Sequence, residues 1–201
     1  KKKKKKKTMG VTISRAHVDY YNKKRRRANR GSVLLVGLDG AGKSTATYQL
    51  ALGKHVDTVP TMGHNKQSFR PRIAGAADAR KWDLFDVGGS LMVRETWPLY
   101  AAAADAIIVV VDSTRTDRMG ELKKALEKMY ATRKVDVPVL VLANKEELPG
   151  AVEYHKVAKM LDIESMTSGK TLVLPTNSVT GEGLLAGFMW ITENVGSHGR
   201  H

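Results

Sequence analysis

Nine residues constrain this chain more than any others: Gly37-Leu38-Asp39-Gly40-Ala41-Gly42-Lys43-Ser44-Thr45, which fit the pattern G-x-x-x-x-G-K-[ST]. The apolar run Val33-Leu34-Leu35-Val36 precedes them, and Ala46-Thr47-Tyr48-Gln49-Leu50, compatible with a helix, follows. Strand, glycine-rich loop and helix form the setting in which this pattern grips phosphate. Glycines let the backbone curl until its N–H groups point inward at phosphate oxygens, and the helix beginning near Lys43 adds its positive dipole end. Gly40, Ala41, Gly42, Lys43, Ser44 and Thr45 are therefore expected to hold a nucleotide's phosphates. Lys43 reaches the β- and γ-phosphates, and the Ser44 hydroxyl is a candidate Mg²⁺ ligand.

At 201 residues the chain fits one domain with a sizeable core. It has no cysteine, which excludes a disulfide framework, thiol catalysis and cysteine metal sites. The stretch 101–111, broken by Asp105, is too short to span a membrane, and the N-terminal region lacks the apolar segment of a secretory leader. An intracellular, cytoplasmic setting is expected, with membrane association open.

The net charge of +14 is unevenly placed. Residues 1–30 carry 14 Lys/Arg and one acid, whereas residues 31–201 carry 20 Lys/Arg against 19 Asp/Glu. A neutral body argues against a general nucleic-acid surface on the folded domain. The basic segment suits an acidic membrane surface, RNA or another acidic partner, or is simply a solvated charge run. Within it, Met9-Gly10-Val11-Thr12-Ile13-Ser14 matches the myristoylation pattern if Met9 initiates the chain, making Gly10 a candidate lipidation site. The cluster Lys23-Lys24-Arg25-Arg26-Arg27 would be the second signal that a single acyl chain needs for stable anchoring. An organelle-targeting leader is the minor alternative.

From Ser32 onward, apolar strands alternate with helical stretches. Strands are expected over 33–36, 82–85, 106–111, 137–142 and 171–174, and helices over 43–52, 118–131, 152–161 and 183–195. Near-continuous apolar strands are the mark of a sheet covered on both faces. The fold class is thus α/β: a three-layer, mainly parallel sheet with helices on both faces and its sites at the strand C-terminal ends.

Further motifs lie at those ends. Thr61, in Val59-Pro60-Thr61-Met62-Gly63, sits in a loop that can close over Mg²⁺ and a γ-phosphate, and that contact exists only while the γ-phosphate does. In Phe85-Asp86-Val87-Gly88-Gly89-Ser90, Asp86 is expected to hold a Mg²⁺-bound water and the Gly89 N–H to meet the γ-phosphate. Asn144-Lys145-Glu146-Glu147 closes an apolar strand: Asn144 suits a purine edge, the Lys145 stem can lie over the base, and Glu147 can accept the guanine N1–H and N2–H₂. Adenine lacks those donors. Ser178, in Thr176-Asn177-Ser178-Val179-Thr180, is the candidate N–H donor to the guanine O6. An ATP-using kinase of the same loop class would leave Asn144 and Lys145 without a role.

The order and spacing of these motifs resemble the small GTPases, and within them the ADP-ribosylation-factor and Arf-like family. The resemblance rests on residues 37–45, 58–65, 86–89, 97–100, 111–113 and 143–151 and covers about residues 31–196. It implies a six-stranded sheet with five helices, a P-loop NTPase fold, GTP/GDP and Mg²⁺ as cofactors, and a nucleotide-driven switch that hydrolyses GTP. It also implies effector, exchange-factor and activating partners. The implied organisation is a basic tail over 1–30, a GTP-binding domain over 31–196 and a C-terminal tail over 197–201.

Four departures from the family pattern stand out. Ser90 occupies the catalytic position of a glutamine that orients the attacking water, so slow intrinsic hydrolysis is expected unless a partner supplies the group. Glu147 replaces aspartate, which keeps the charge but lengthens the arm. His64 replaces an aromatic residue and joins Phe85 and Tyr100 on the implied effector surface. Twenty residues separate Asn65 from Asp86, about six more than the family pattern leads us to expect. A nucleotide-locked member built into a larger assembly is the alternative these departures leave open.

Overall fold

A computed structural model describes residues 30–71, 80–131 and 136–195. The Gly10 and polybasic segments, residues 72–79 of the long stretch between Asn65 and Asp86, and the C-terminal tail lie outside the described residues. Six strands form one sheet: β1 (Arg30–Val36), β2 (His64–Phe69), β3 (Lys81–Val87), β4 (Ala106–Asp112), β5 (Val139–Asn144) and β6 (Thr171–Thr176). Their order is β2-β3-β1-β4-β5-β6, parallel throughout except for β2, which runs antiparallel to β3. The expected α/β architecture is the one observed.

Helices cover both faces. They are α1 (Lys43–Leu52), α2 (Leu91–Arg94), α3 (Trp97–Ala101), α4 (Met119–Ala131), α5 (Tyr154–Leu161) and α6 (Leu184–Asn194). One apolar layer joins Leu34, Val109 and Val141 of the sheet to Trp97, Leu126 and Leu161. The other joins Leu35, Ile108 and Leu142 to Ala46, Leu184 and Phe188. Because β1, β4 and β5 lie between these layers, both faces of each strand are buried, which is why their sequences are continuous apolar runs. In α4 the helical spacing holds: Met119, Leu122, Leu126 and Met129 are all buried.

Two features differ from the sequence expectation. Strand β2 reads His-Asn-Lys-Gln-Ser-Phe and alternates between exposed and half-buried positions, so it carries no apolar signal. Its backbone pairing with β3, from His64 opposite Val87 to Phe69 opposite Trp82, makes it a strand. The sixth strand that the family resemblance implied is this one. The segment after Gly89 forms two short helices, each below the length at which periodicity can be read, and brings the α-helices to six among the described residues rather than five.

The parallel register sets the site. Asp112 of β4 pairs with Asn144 of β5, which pairs with Thr176 of β6, so three polar strand ends form a row. The phosphate loop leaves β1 and the Gly88-Gly89 turn leaves β3 at the same edge. Among the described residues, no helix is long and apolar enough to cross a membrane.

Candidate functional site

The phosphate loop passes from β1 into α1, whose N-cap residue is Gly42 at φ 96°. This left-handed backbone is natural only for glycine, and a Cβ there would also lie 2.4 Å from Asn144 Nδ2. Lys43 is buried and donates from Nζ to the Leu38 carbonyl at 2.8 Å, which folds its stem back across the loop. Burial drives its pKa from 10.5 to about 8, against the opposing pull of Asp86 and Asp39.

That shift has a measurable consequence. Phosphates placed beside Lys43 would hold its proton, whereas the free protein sheds it as the pH passes about 8. Binding then takes up a proton, so affinity for GDP is expected to fall above pH 8 by up to about tenfold per unit. Equilibrium titrations between pH 7 and 9 check this, and a flat profile would contradict it.

Ser44, the second residue of α1, lies against Thr61 and Asp86. Its hydroxyl lies 3.0 Å from Thr61 Oγ1 and donates a short hydrogen bond to Asp86 Oδ2, while Thr61 Oγ1 donates to the same oxygen at 3.4 Å. Residues 17 and 42 positions from Ser44 thus converge on one point. Asp86 Oδ1 is buried without a hydrogen-bond partner among the described residues. Two hydroxyls and one carboxylate with an unused oxygen fit Mg²⁺, a hard cation that keeps several waters and takes few protein ligands. Thr45 lies half-buried in the first turn of α1.

Asn144 ties three segments together. It is buried at the end of β5, donates from Nδ2 to the Ala41 carbonyl at 2.8 Å, and accepts from both the N–H and the hydroxyl of Ser178 at 2.9 Å. The Ser178 N–H must therefore leave Asn144 to serve a purine carbonyl. Lys145 adopts φ 66°, rare for a residue with a side chain. Its Nζ donates to the Gly40 carbonyl at 2.8 Å and pairs with Asp112 at 2.6 Å. Burial pushes the Asp112 carboxyl up, but hydrogen bonds from Lys145 and Thr114 outweigh it and hold the group below its usual range. Glu147 is exposed in the turn that follows.

Gly89 is buried against the phosphate loop, where an added Cβ would lie 2.3 Å from the Asp39 nitrogen. Ser90 is exposed at the start of α2, in extended conformation and without a side-chain capping bond. His64, Phe85 and Tyr100 come together as expected: Tyr100 Oη lies 2.9 Å from His64 Nδ1, and the Phe85 and Tyr100 ring centroids are 6.5 Å apart. Lys66 Nζ sits 5.3 Å from the Phe85 ring centroid, adding a cation to that surface.

Sequence reasoning missed two parts of the site. One is Asp112, the partner of Lys145, although it sits in the quoted Val111-Asp112-Ser113. The other is a charged quartet of Asp39, Arg94, Arg118 and Glu121, in which each arginine contacts both acids. Arg118 holds the Asp39 carboxyl below its usual range.

Comparison with known proteins gives a consistent result. The profile of the ADP-ribosylation factor family matches residues 18–195. ADP-ribosylation factor 1 of Brassica rapa subsp. pekinensis is 32% identical over 190 residues, covering 94% of this chain and 98% of that protein. ADP-ribosylation factor J of Dictyostelium discoideum is 33% identical over 164 residues, covering 81% and 84%. Among solved structures, the Arl6 BBS3 small GTPase from Trypanosoma brucei, with bound nucleotide analogue GppNp, superposes with a TM-score of 0.72. It is 28% identical, and the match covers 83% of this chain and 97% of that one.

Proposed function

The chain belongs to the ADP-ribosylation factor family, and from that premise we propose a guanine-nucleotide switch that binds GTP but hydrolyses it slowly on its own. Membership itself makes it a GTP-binding switch protein that works with GTP/GDP and Mg²⁺ and with regulators and effectors. The assignment of individual residues is our reading.

The observation that carries it is the meeting of Ser44, Thr61 and Asp86 at the phosphate loop. Thr61 lies on the loop before β2 and Asp86 on β3, so one point of contact joins the grip to both segments that must sense a γ-phosphate. Mg²⁺ bound there would neutralise charge on the β- and γ-phosphate oxygens. Ser44 and Thr61 would ligate it through their hydroxyls, and Asp86 would hold one of its waters. Lys43, with the backbone of Gly40, Ala41, Gly42 and Thr45, would hold the phosphates, and the Gly89 N–H would meet the γ-phosphate. Asn144 and Lys145 would frame the base, with Glu147 accepting from guanine across one extra methylene and Ser178 supplying the O6 donor.

Hydrolysis requires a water aligned with the γ-phosphorus. Ser90 stands at the position that would align it, but its side chain is short and exposed. Single-turnover GTP hydrolysis is expected to be slow in the parent and to rise at least ~10-fold in Ser90→Gln, the contribution of one positioned group. Equal, fast rates in both proteins would overturn the proposal. GTP retained without turnover in both would instead support the nucleotide-locked reading.

His64, Phe85 and Tyr100 would form the effector surface. The basic residues of 1–30, with or without acylation at Gly10, would add attraction to an acidic membrane surface.

A further inference from the structure

Resting on the switch reading above, we propose that Arg94 positions the second switch against the phosphate loop, and that its guanidinium fork supports the contact of that switch with a γ-phosphate. Arg94 closes α2, in which Leu91 is 73% and Met92 87% exposed while Val93 packs against the core. Arg94 itself is 9% exposed. Its backbone N–H donates to the Ser90 carbonyl at 3.0 Å, which stacks it one turn above Ser90.

The side chain turns back towards the phosphate loop. Nε donates to the Gly89 carbonyl at 2.5 Å, Nη1 to Glu121 at 2.7 Å, and Nη2 to Asp39 at 3.4 Å. Those three acceptors belong to the second switch, α4 and the phosphate loop. Arg118 contacts Asp39 at 3.0 Å and Glu121 at 2.8 Å, so the two acids are themselves tied together. Two arginines balance two carboxylates, so the quartet itself carries no net charge.

The Gly89 carbonyl and the Ser90 N–H belong to one planar peptide. Fixing the carbonyl fixes ψ at Gly89, which is packed against Leu38 and Asp39, and so restrains the preceding peptide whose N–H would meet the γ-phosphate. Ser90, with its short exposed side chain, makes no capping bond of its own. The anchor is therefore Arg94, four residues on. Lysine would keep the charge but has one nitrogen, and it cannot donate in three fixed directions.

The test uses the full chain and measures affinity for GDP and for a non-hydrolysable GTP analogue, both with Mg²⁺. In Arg94→Lys, the GTP-analogue affinity is expected to fall about tenfold or more while GDP affinity stays within about threefold. Glu121→Gln, which weakens the anchor while keeping Arg94 itself, should move both values the same way by less, and it carries the test if Arg94→Lys fails to fold. Equal losses for the two nucleotides would make Arg94 merely structural, and no loss for either would make it dispensable; either outcome overturns the proposal. A parent protein that binds neither nucleotide would defeat the switch reading itself.

Discussion

Replacing Asn144 with alanine is expected to weaken GDP and GTP binding by at least ~100-fold and to lower the stability of the nucleotide-free protein by about 3 kcal/mol. The two effects have different origins. Asn144 is buried and makes three hydrogen bonds, one to the Ala41 carbonyl and two from Ser178. Alanine leaves the carbonyl and the Ser178 donors without partners in a site that water enters poorly, and each unpaired group costs roughly 1–3 kcal/mol. That cost appears without any ligand. The affinity loss adds the missing contact to the purine edge and the loosened spacing between the phosphate loop and the β6 loop. Ser178→Ala removes only the hydroxyl bond and should cost ~1 kcal/mol of stability. Denaturant unfolding and nucleotide titration separate the two terms, and an unchanged affinity in Asn144→Ala would contradict the assignment.

Gly89→Ala should have the second large effect, directed at the γ-phosphate. The new Cβ would lie 2.3 Å from the Asp39 nitrogen, 2.4 Å from the Leu38 carbonyl carbon and 2.5 Å from the Gly37 oxygen. All three are backbone atoms, so no rotamer change relieves the clash, and close packing requires a shift of roughly 1 Å. The switch segment is the part that gives way. The phosphate loop is anchored through Asn144 to Ala41 and through Lys145 to Gly40, whereas the Gly89 carbonyl is held by the Arg94 side chain and Leu91 and Met92 beyond it are exposed. Affinity for a GTP analogue is expected to fall ~30-fold or more, with GDP affinity changed much less because its phosphates meet only the loop and α1. Parallel titrations decide this, and a ratio of the two affinities that is the same in the parent and in Gly89→Ala would contradict it.

The legible and illegible parts of this chain divide along a physical line. Strands β1, β4 and β5 could be read because burial on both faces forces apolar residues at consecutive positions, over 33–36, 106–111 and 139–143. Strand β2 could not, because it lies at the sheet edge and owes its conformation to backbone pairing with β3. Lys43, Ser44, Thr61, Asp86, Asn144 and Lys145 announce themselves because glycines, strand ends and polar residues recur at fixed local spacings. The Arg94 quartet does not. Its members lie 55 residues apart at Asp39–Arg94 and 79 at Asp39–Arg118, and an arginine in a four-residue helix looks like any solvated cation. The clasp of Asp112 on Lys145, 33 residues away, is hidden in the same way. Folding, not local pattern, makes those contacts.

The central claim is that the site selects guanine nucleotides. Competition by GTP, GDP and ATP for the site of a fluorescent GDP, with Mg²⁺ present, tests it most directly. Selection through paired against unpaired buried polar groups predicts that GTP and GDP compete at comparable concentrations and ATP about a thousandfold more weakly. ATP competing as well as GTP would contradict the claim.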